Sequence, residues 1–295
     1  MKQTSIRTIR VGNAPWGISS DGTDAWVTNS MDNTVTEISA ATGKVLRTIP
    51  VGGSPEGICT DGVNVWVANT GYTSLSDTVS EIAAATGQVI RTVEVGVAPD
   101  GVACNGIDVW AANGDSSTVS EFDAVTGDVL RTIDVGTGPG PITVDQAHVW
   151  VVNEGANHGA GDVSEIDLAT GSVVRTIAVG LSPSGISSDG LDVWVANGVS
   201  SSVTEIDAAT GSVIKTIAIP DGANQISSDG NHVWITSYRF GNHIGQITEV
   251  DASTASIIKT VTVGKSPWGI VSDGTHVWVA NQGSNTVNEI NAEAK

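Results

Sequence analysis

The chain has 295 residues and is 40% hydrophobic, which is ample for a sizeable core, yet it carries 9 Trp and 35 Gly against only 2 Tyr and 2 Phe. That imbalance points to one motif copied many times. Thirteen Lys and Arg against 32 Asp and Glu leave a net charge of −19, which repels phosphate backbones and anionic lipid heads and argues against nucleic-acid and membrane partners.

In chain order the first element is a short strand-like segment, Ser5-Ile6-Arg7-Thr8-Ile9. Seven copies of one phrase follow. Each runs Val-Gly-x-x-Pro-x-Gly-Ile, then Asp-Gly, then Val-Trp-Val-Ala-Asn, then Thr-Val-x-Glu-Ile-Asp-Ala-Ala-Thr-Gly, then Val-Ile-Arg-Thr-Ile. The phrase's tryptophans stand at Trp26, Trp66, Trp110, Trp150, Trp194, Trp234 and Trp278, spaced alternately by 40 and 44 residues. Within a copy, four β-branched runs are bounded by Asp-Gly, Asn and Thr-Gly turn signals, which predicts four antiparallel strands, a to d. No stretch keeps a helical period. Four-stranded units of this length predict an all-β, seven-bladed propeller, with residues 1–295 forming a single domain.

Folding each c-to-d hairpin about its Thr-Gly turn places Glu37 opposite Arg47. The same arithmetic pairs Glu81 with Arg91, Glu121 with Arg131, Glu165 with Arg175, Glu205 with Lys215 and Glu249 with Lys259. Glu289 has no basic residue after it, and Arg7 supplies the match. Residues 4–10 are therefore expected to complete the seventh blade and remove the open edge between the chain's two ends.

The phrases Val-Ala-Asn, Glu-Ile-Asp-Ala-Ala-Thr-Gly and Val-Gly-x-x-Pro-x-Gly-Ile resemble the YVTN-type β-propeller repeat and, more distantly, streptogramin B (virginiamycin B) lyases. The lyase resemblance implies a His after the Pro of the d-to-a loop, acting with acidic residues and magnesium. Here Trp16 and Trp268 hold the matching slots of the first and last blades, and no blade has His there. That catalytic set is not carried over.

Residues common to all blades are scaffold, so candidates are sought where the repeat breaks. The residue after the repeated Pro runs Trp16, Glu56, Asp100, Gly140, Ser184, Asn224 (with Ala223 in place of Pro) and Trp268. The b-to-c loop is four residues longer in blades two, four and six. Because seven is odd, two short-loop blades, the seventh and first, lie side by side, and these two carry Trp16 and Trp268. Tyr72, Tyr238 and Phe240 fall on the same loop face. So do Glu56, Asp77, Asp100, Asp115, Glu154, Asp162 and Asp221, against the basic Arg239 and Lys265. An aromatic and acidic ligand site is expected at this mouth of the channel, built from Trp16, Glu56, Tyr72, Asp100, Glu154, Tyr238, Arg239 and Trp268. It would take a small molecule, a sugar or a peptide side chain.

The alternative is a metal-assisted lyase or hydrolase. In it His158 and His243 act as bases, and Glu56, Asp100 and Glu154 hold a divalent cation, magnesium or calcium. A purely structural ring is the third reading, and a noncatalytic binding propeller is preferred to both. His148, His232 and His276 replace Asp24, Asp108 and Asp192 on the opposite, a-to-b side and read as scaffold. Cys59 and Cys104 lack CxxC spacing and are expected to be buried thiols rather than a disulfide or metal pair. A monomer is expected. Residues 1–10 lack the apolar core of a signal peptide, which favours the cytoplasm over a trimmed extracytoplasmic form.

Overall fold

The computed structural model describes residues 5–71, 77–156, 159–238 (Tyr238 by its backbone alone) and 244–291. Seven four-stranded antiparallel sheets surround a channel, each ordered a-b-c-d from the axis outward, and the first is Pro15–Ser20, Asp24–Asn29, Thr34–Ser39 and Val45–Pro50. The seventh is Pro267–Ser272, His276–Asn281 and Thr286–Asn291, with Ile6–Arg10 as its outermost strand. That last pairing sets Arg7 opposite Glu289 and closes the ring as the sequence predicts. No helix among the described residues is long and apolar enough to cross a membrane.

The core lies between blades. All seven repeat tryptophans are at most 1% exposed, each packed with aliphatic residues of its own and neighbouring sheets. Beneath the b-to-c loops, the Asn that ends strand b is fully buried in the first five blades and donates to the hydroxyl of the strand-c residue directly before the repeated Glu. Examples are Asn29 to Thr36 at 2.9 Å and Asn113 to Ser120 at 3.0 Å. The histidines of blades four, six and seven bridge a hairpin Asp to the repeated Glu, as in His148, 3.3 Å from Glu165. Their scaffold reading holds.

All seven Glu-to-base registers occur as predicted. Six of the pairs are ion pairs within 3.5 Å. In the fifth blade the Lys215 ammonium donates instead to the Thr254 carbonyl at 3.2 Å. The arginines also do something the hairpin arithmetic does not foresee. Each lies across the c-to-d turn of the next blade, on the space over that turn's Gly: Arg47 over Gly87, Arg91 over Gly127, Arg131 over Gly171 and Arg175 over Gly211. Arg7 covers Gly43 in the same way, so the closing strand of the seventh blade also grips the first. Where Lys215 replaces Arg, the next blade's turn has Ala255 in place of Gly, at φ +53°.

The cysteine expectation is overturned. Cys59 and Cys104 form a disulfide with Cα atoms 6.1 Å apart. They occupy facing slots on the inner strands of blades two and three. The corresponding serines of later blades hydrogen bond across the same gap, with the Ser228 and Ser272 amides donating to the Ser187 and Ser227 hydroxyls at 2.9 and 3.0 Å. A separation of 45 residues hides the contact until the repeats are aligned.

Candidate functional site

The channel mouth on the b-to-c side is built by one local irregularity. The residue before the repeated Pro has positive φ, between +47° and +65°, at Ala14, Ser54, Ala98, Gly138, Ser182 and Ser266. Directly after the Pro, the pairing of strand a with strand b skips register in those six blades. A bulge of this kind frees the next residue from the ladder and re-aims its side chain. Trp16, Glu56, Asp100 and Trp268 are the residues so placed. In the sixth blade, where Ala223 replaces Pro, the inner strand begins only at Ile226. The Gly that follows in most blades lets inner strands approach: a Cβ on Gly57 would meet the Asp100 carbonyl at 2.5 Å.

Trp16, Glu56, Asp100 and Trp268 line one cavity of about 150 Å³ at the channel axis. Each blade adds an aliphatic side chain two positions farther along its inner strand, from Ile18 in the first blade through Val102 to Ile270 in the seventh. The cavity therefore has a polar and aromatic rim over an apolar ring. Its lining among the described residues contains no Lys, Arg or His.

Trp16 and Trp268 are half-buried, with ring centroids 4.7 Å apart and planes tilted by 39°. At that separation nothing fits between them, so they form a single wall. Thr28 and Thr236, in a slot that holds Ala in most blades, anchor this wall. The Gly17 amide donates to the Thr28 hydroxyl at 2.8 Å, Thr28 donates to the Glu56 carbonyl at 2.9 Å, and Thr236 donates to the Trp268 carbonyl at 2.9 Å.

Next around the ring, Glu56 and Asp100 share a hydrogen bond. Burial pushes the Glu56 carboxyl up, reinforced by the charge of Asp100, the bond it donates to Asp100 and the charge of Glu154, and opposed by the Thr70 hydroxyl; the value reaches about 9. Asp100 is also raised by burial, while the bond accepted from Glu56 works the other way. At neutral pH Glu56 therefore holds the proton and Asp100 accepts from it. Gly140 makes room for the pair, since a Cβ there would sit 2.6 Å from Asp100 Oδ2 and 4.0 Å from Glu154 Oε1.

Of the predicted site, Trp16, Glu56, Asp100 and Trp268 thus share one cavity, and Glu154 lies near its edge. Tyr72, His158, Arg239 and His243 lie outside the described residues, as does the Tyr238 side chain. Two acids of the predicted rim serve the scaffold: Asp77 accepts the Ala98 amide at 3.0 Å, and Asp162 accepts Asn153 at 2.6 Å. Sequence reasoning passed over Gly140 and Gln225. Gln225, whose amide donates to the Ser184 carbonyl, stands where five blades have Gly, and that break in the phrase was the available signal. Among the described residues no three His, Cys, Asp or Glu side chains are grouped to hold a metal ion. With Trp at both slots of the lyase family's His, the donor set does not fit that family's magnesium site.

This fold and mouth define a seven-bladed β-propeller with an asymmetric axial cavity. No family model and no curated protein matches the chain. Solved structures do match along nearly the whole length. Hydrazine synthase of Kuenenia stuttgartiensis has a TM-score of 0.81 at 20% identity, covering 96% of both chains. Virginiamycin B lyase from Staphylococcus aureus has a TM-score of 0.80 at 18% identity, covering 99% of this chain and 100% of that one. U3-55K has a TM-score of 0.80 at 11% identity, covering 97% and 98%. The lyase-type propeller expected from the sequence is therefore among the structural neighbours, and at these identities the likeness is one of fold. A propeller scaffold hosts unrelated activities, as these three names illustrate.

Proposed function

We propose that this propeller is a noncatalytic binding protein whose ligand enters the axial cavity at the b-to-c mouth. The observation that carries this reading is the joining of the Trp16–Trp268 wall and the Glu56–Asp100 carboxyl pair in one cavity. The four residues come from four consecutive blades, at the same slot of the repeat. An aromatic wall offers an apolar face, and the carboxyls offer hydrogen bonds and charge, so the ligand combines a flat or rounded apolar group with a polar or cationic one. Small molecules, sugars and peptide side chains are the classes to screen. The Cys59–Cys104 disulfide fits an oxidising compartment better than the cytoplasm.

The test follows tryptophan fluorescence while such ligands are titrated into the parent and into a Trp16→Ala, Trp268→Ala variant. Affinity falling about tenfold or more in the variant supports the site. A ligand whose affinity is unchanged binds elsewhere.

A second reading, lyase or hydrolase chemistry, is favoured by one feature, a protonated Glu56 hydrogen bonded to Asp100, the arrangement of a general acid with its partner. In that reading Glu56→Gln abolishes turnover, and a screen of lactone, ester and glycoside substrates against the parent is the check.

A further inference from the structure

We propose that the axial cavity selects a monovalent organic cation, a methylated ammonium group of roughly benzene size, seated against Trp16 and Trp268 with its charge toward Glu56 and Asp100. This inference rests on the binding reading above and names the ligand's chemistry.

Three features of the cavity converge on it. Its volume of about 150 Å³ equals that of an engineered protein cavity which admits benzene, so it suits a compact head group rather than an extended ligand. Its charge is of one sign: two carboxyls line it and no described lining residue is basic. Apart from the Gln225 amide and the inner-strand glycines, its remaining side chains are indole and aliphatic or proline, with the ring running from Ile18 to Ile270. A methylated ammonium is the cation that suits all three, because its surface is apolar, its charge is spread over the methyl groups, and an indole face attracts it most strongly among the aromatic side chains. Magnesium or calcium would need six or more oxygen ligands, several of them waters, and an aliphatic ring supplies none. A sugar would set its hydroxyls against that same ring.

Proton linkage then follows from the geometry. The charged groups facing Glu56 are Asp100 from the neighbouring inner strand (Pro99–Cys104) and Glu154 from the loop after His148–Asn153. The other adjoining strands, Pro15–Ser20 and Asn64–Asn69, bring no titratable side chain. A cation beside the pair favours its fully ionised form. The proton that Glu56 holds up to about pH 9 is therefore partly released on binding, and affinity rises with pH until the free pair is ionised.

The experiment is isothermal titration of the full chain with tetramethylammonium at pH 6.5, 7.5 and 8.5, in two buffers of different ionisation enthalpy. Neopentyl alcohol, an uncharged and water-soluble relative of tetramethylammonium's carbon isostere neopentane, is titrated in parallel with glucose and magnesium. The proposal expects tetramethylammonium affinity to rise several-fold across this range with net proton release, and to exceed that for the uncharged analogue by at least tenfold. Glu56→Gln, which keeps the shape and a donor to Asp100, should fold normally, bind the cation and lose both the pH dependence and the proton release. Equal affinity for neopentyl alcohol or glucose, lost in the Trp16→Ala, Trp268→Ala variant, overturns the cation proposal and leaves the binding site standing. Tetramethylammonium binding untouched by that variant overturns both. Magnesium binding with proton release while tetramethylammonium fails to bind overturns the proposal in favour of a metal.

Discussion

The outer rim and the channel mouth use the same repeat in opposite ways. On the rim, seven blades place Glu opposite a base at one register, and where Lys215 stands in place of Arg the next blade's turn has Ala255 in place of Gly. At the mouth, the slot after the repeated Pro holds Trp, Glu, Asp, Gly, Ser, Asn and Trp in turn, in six blades on bulges of similar backbone geometry. The rim repeats because each blade must solve the same packing problem against the next. The mouth varies because a bulged, ladder-free position can change its side chain without changing the blade.

Deletion of residues 4–10 breaks that contrast most severely. It strips the outer strand from Thr286–Asn291 and removes Arg7 from both Glu289 and Gly43, so aggregation or a collapse of thermal stability is expected. A deletion variant melting like the parent contradicts closure.

Next in size is Trp110→Ala in the inter-blade core, at about 3–5 kcal/mol by urea unfolding. Trp268→Ala at the mouth, half-buried and stacked on one neighbour, should cost about 1 kcal/mol. Equal losses would make Trp268 another packing residue.

Reduction of Cys59–Cys104, or its replacement by two serines, should lower stability by about 2–4 kcal/mol. Because serines bridge this gap in blades five to seven, the double Ser variant should keep its fold. Loss of the native circular dichroism spectrum would show that blades two and three depend on the covalent link.

The smallest change at pH 6, growing with pH, is expected for Glu56→Gln. The folded value of Glu56 lies above its unfolded value near 4.5, so its contribution to stability is present below that pH and is lost as pH rises toward 9. The Gln variant escapes the loss and should melt progressively higher than the parent between pH 6 and 9. Parallel melting curves across that range would show that Glu56 ionises normally.

The blade count, the four strands, the Glu registers and the closure by Arg7 were legible because each is a local pattern repeated many times. The adjacency of Trp16 and Trp268 was legible too, from the closure of the ring between the first and last blades. What stayed hidden lies between blades: the proton shared by Glu56 and Asp100, the Arg-over-Gly contacts and the disulfide all join residues about 40 positions apart, where no local spacing rule applies. The bulge was hidden for another reason, since Pro-x-Gly reads as a turn and not as an irregular strand start.

The contrast itself is tested most directly by measuring tetramethylammonium affinity and melting temperature together on Trp268→Ala and Arg91→Ala. Arg91 pairs with Glu81 at 3.4 Å, donates to the Val125 carbonyl at 2.8 Å and covers Gly127, and its loss leaves buried Glu81 uncompensated at a cost of roughly 1–3 kcal/mol. The account predicts that Trp268→Ala loses about fivefold or more in affinity with little change in melting temperature, and that Arg91→Ala melts lower with its affinity unchanged. Affinity that survives Trp268→Ala, or that falls equally in both variants, would contradict the assignment of scaffold to the rim and of ligand binding to the mouth.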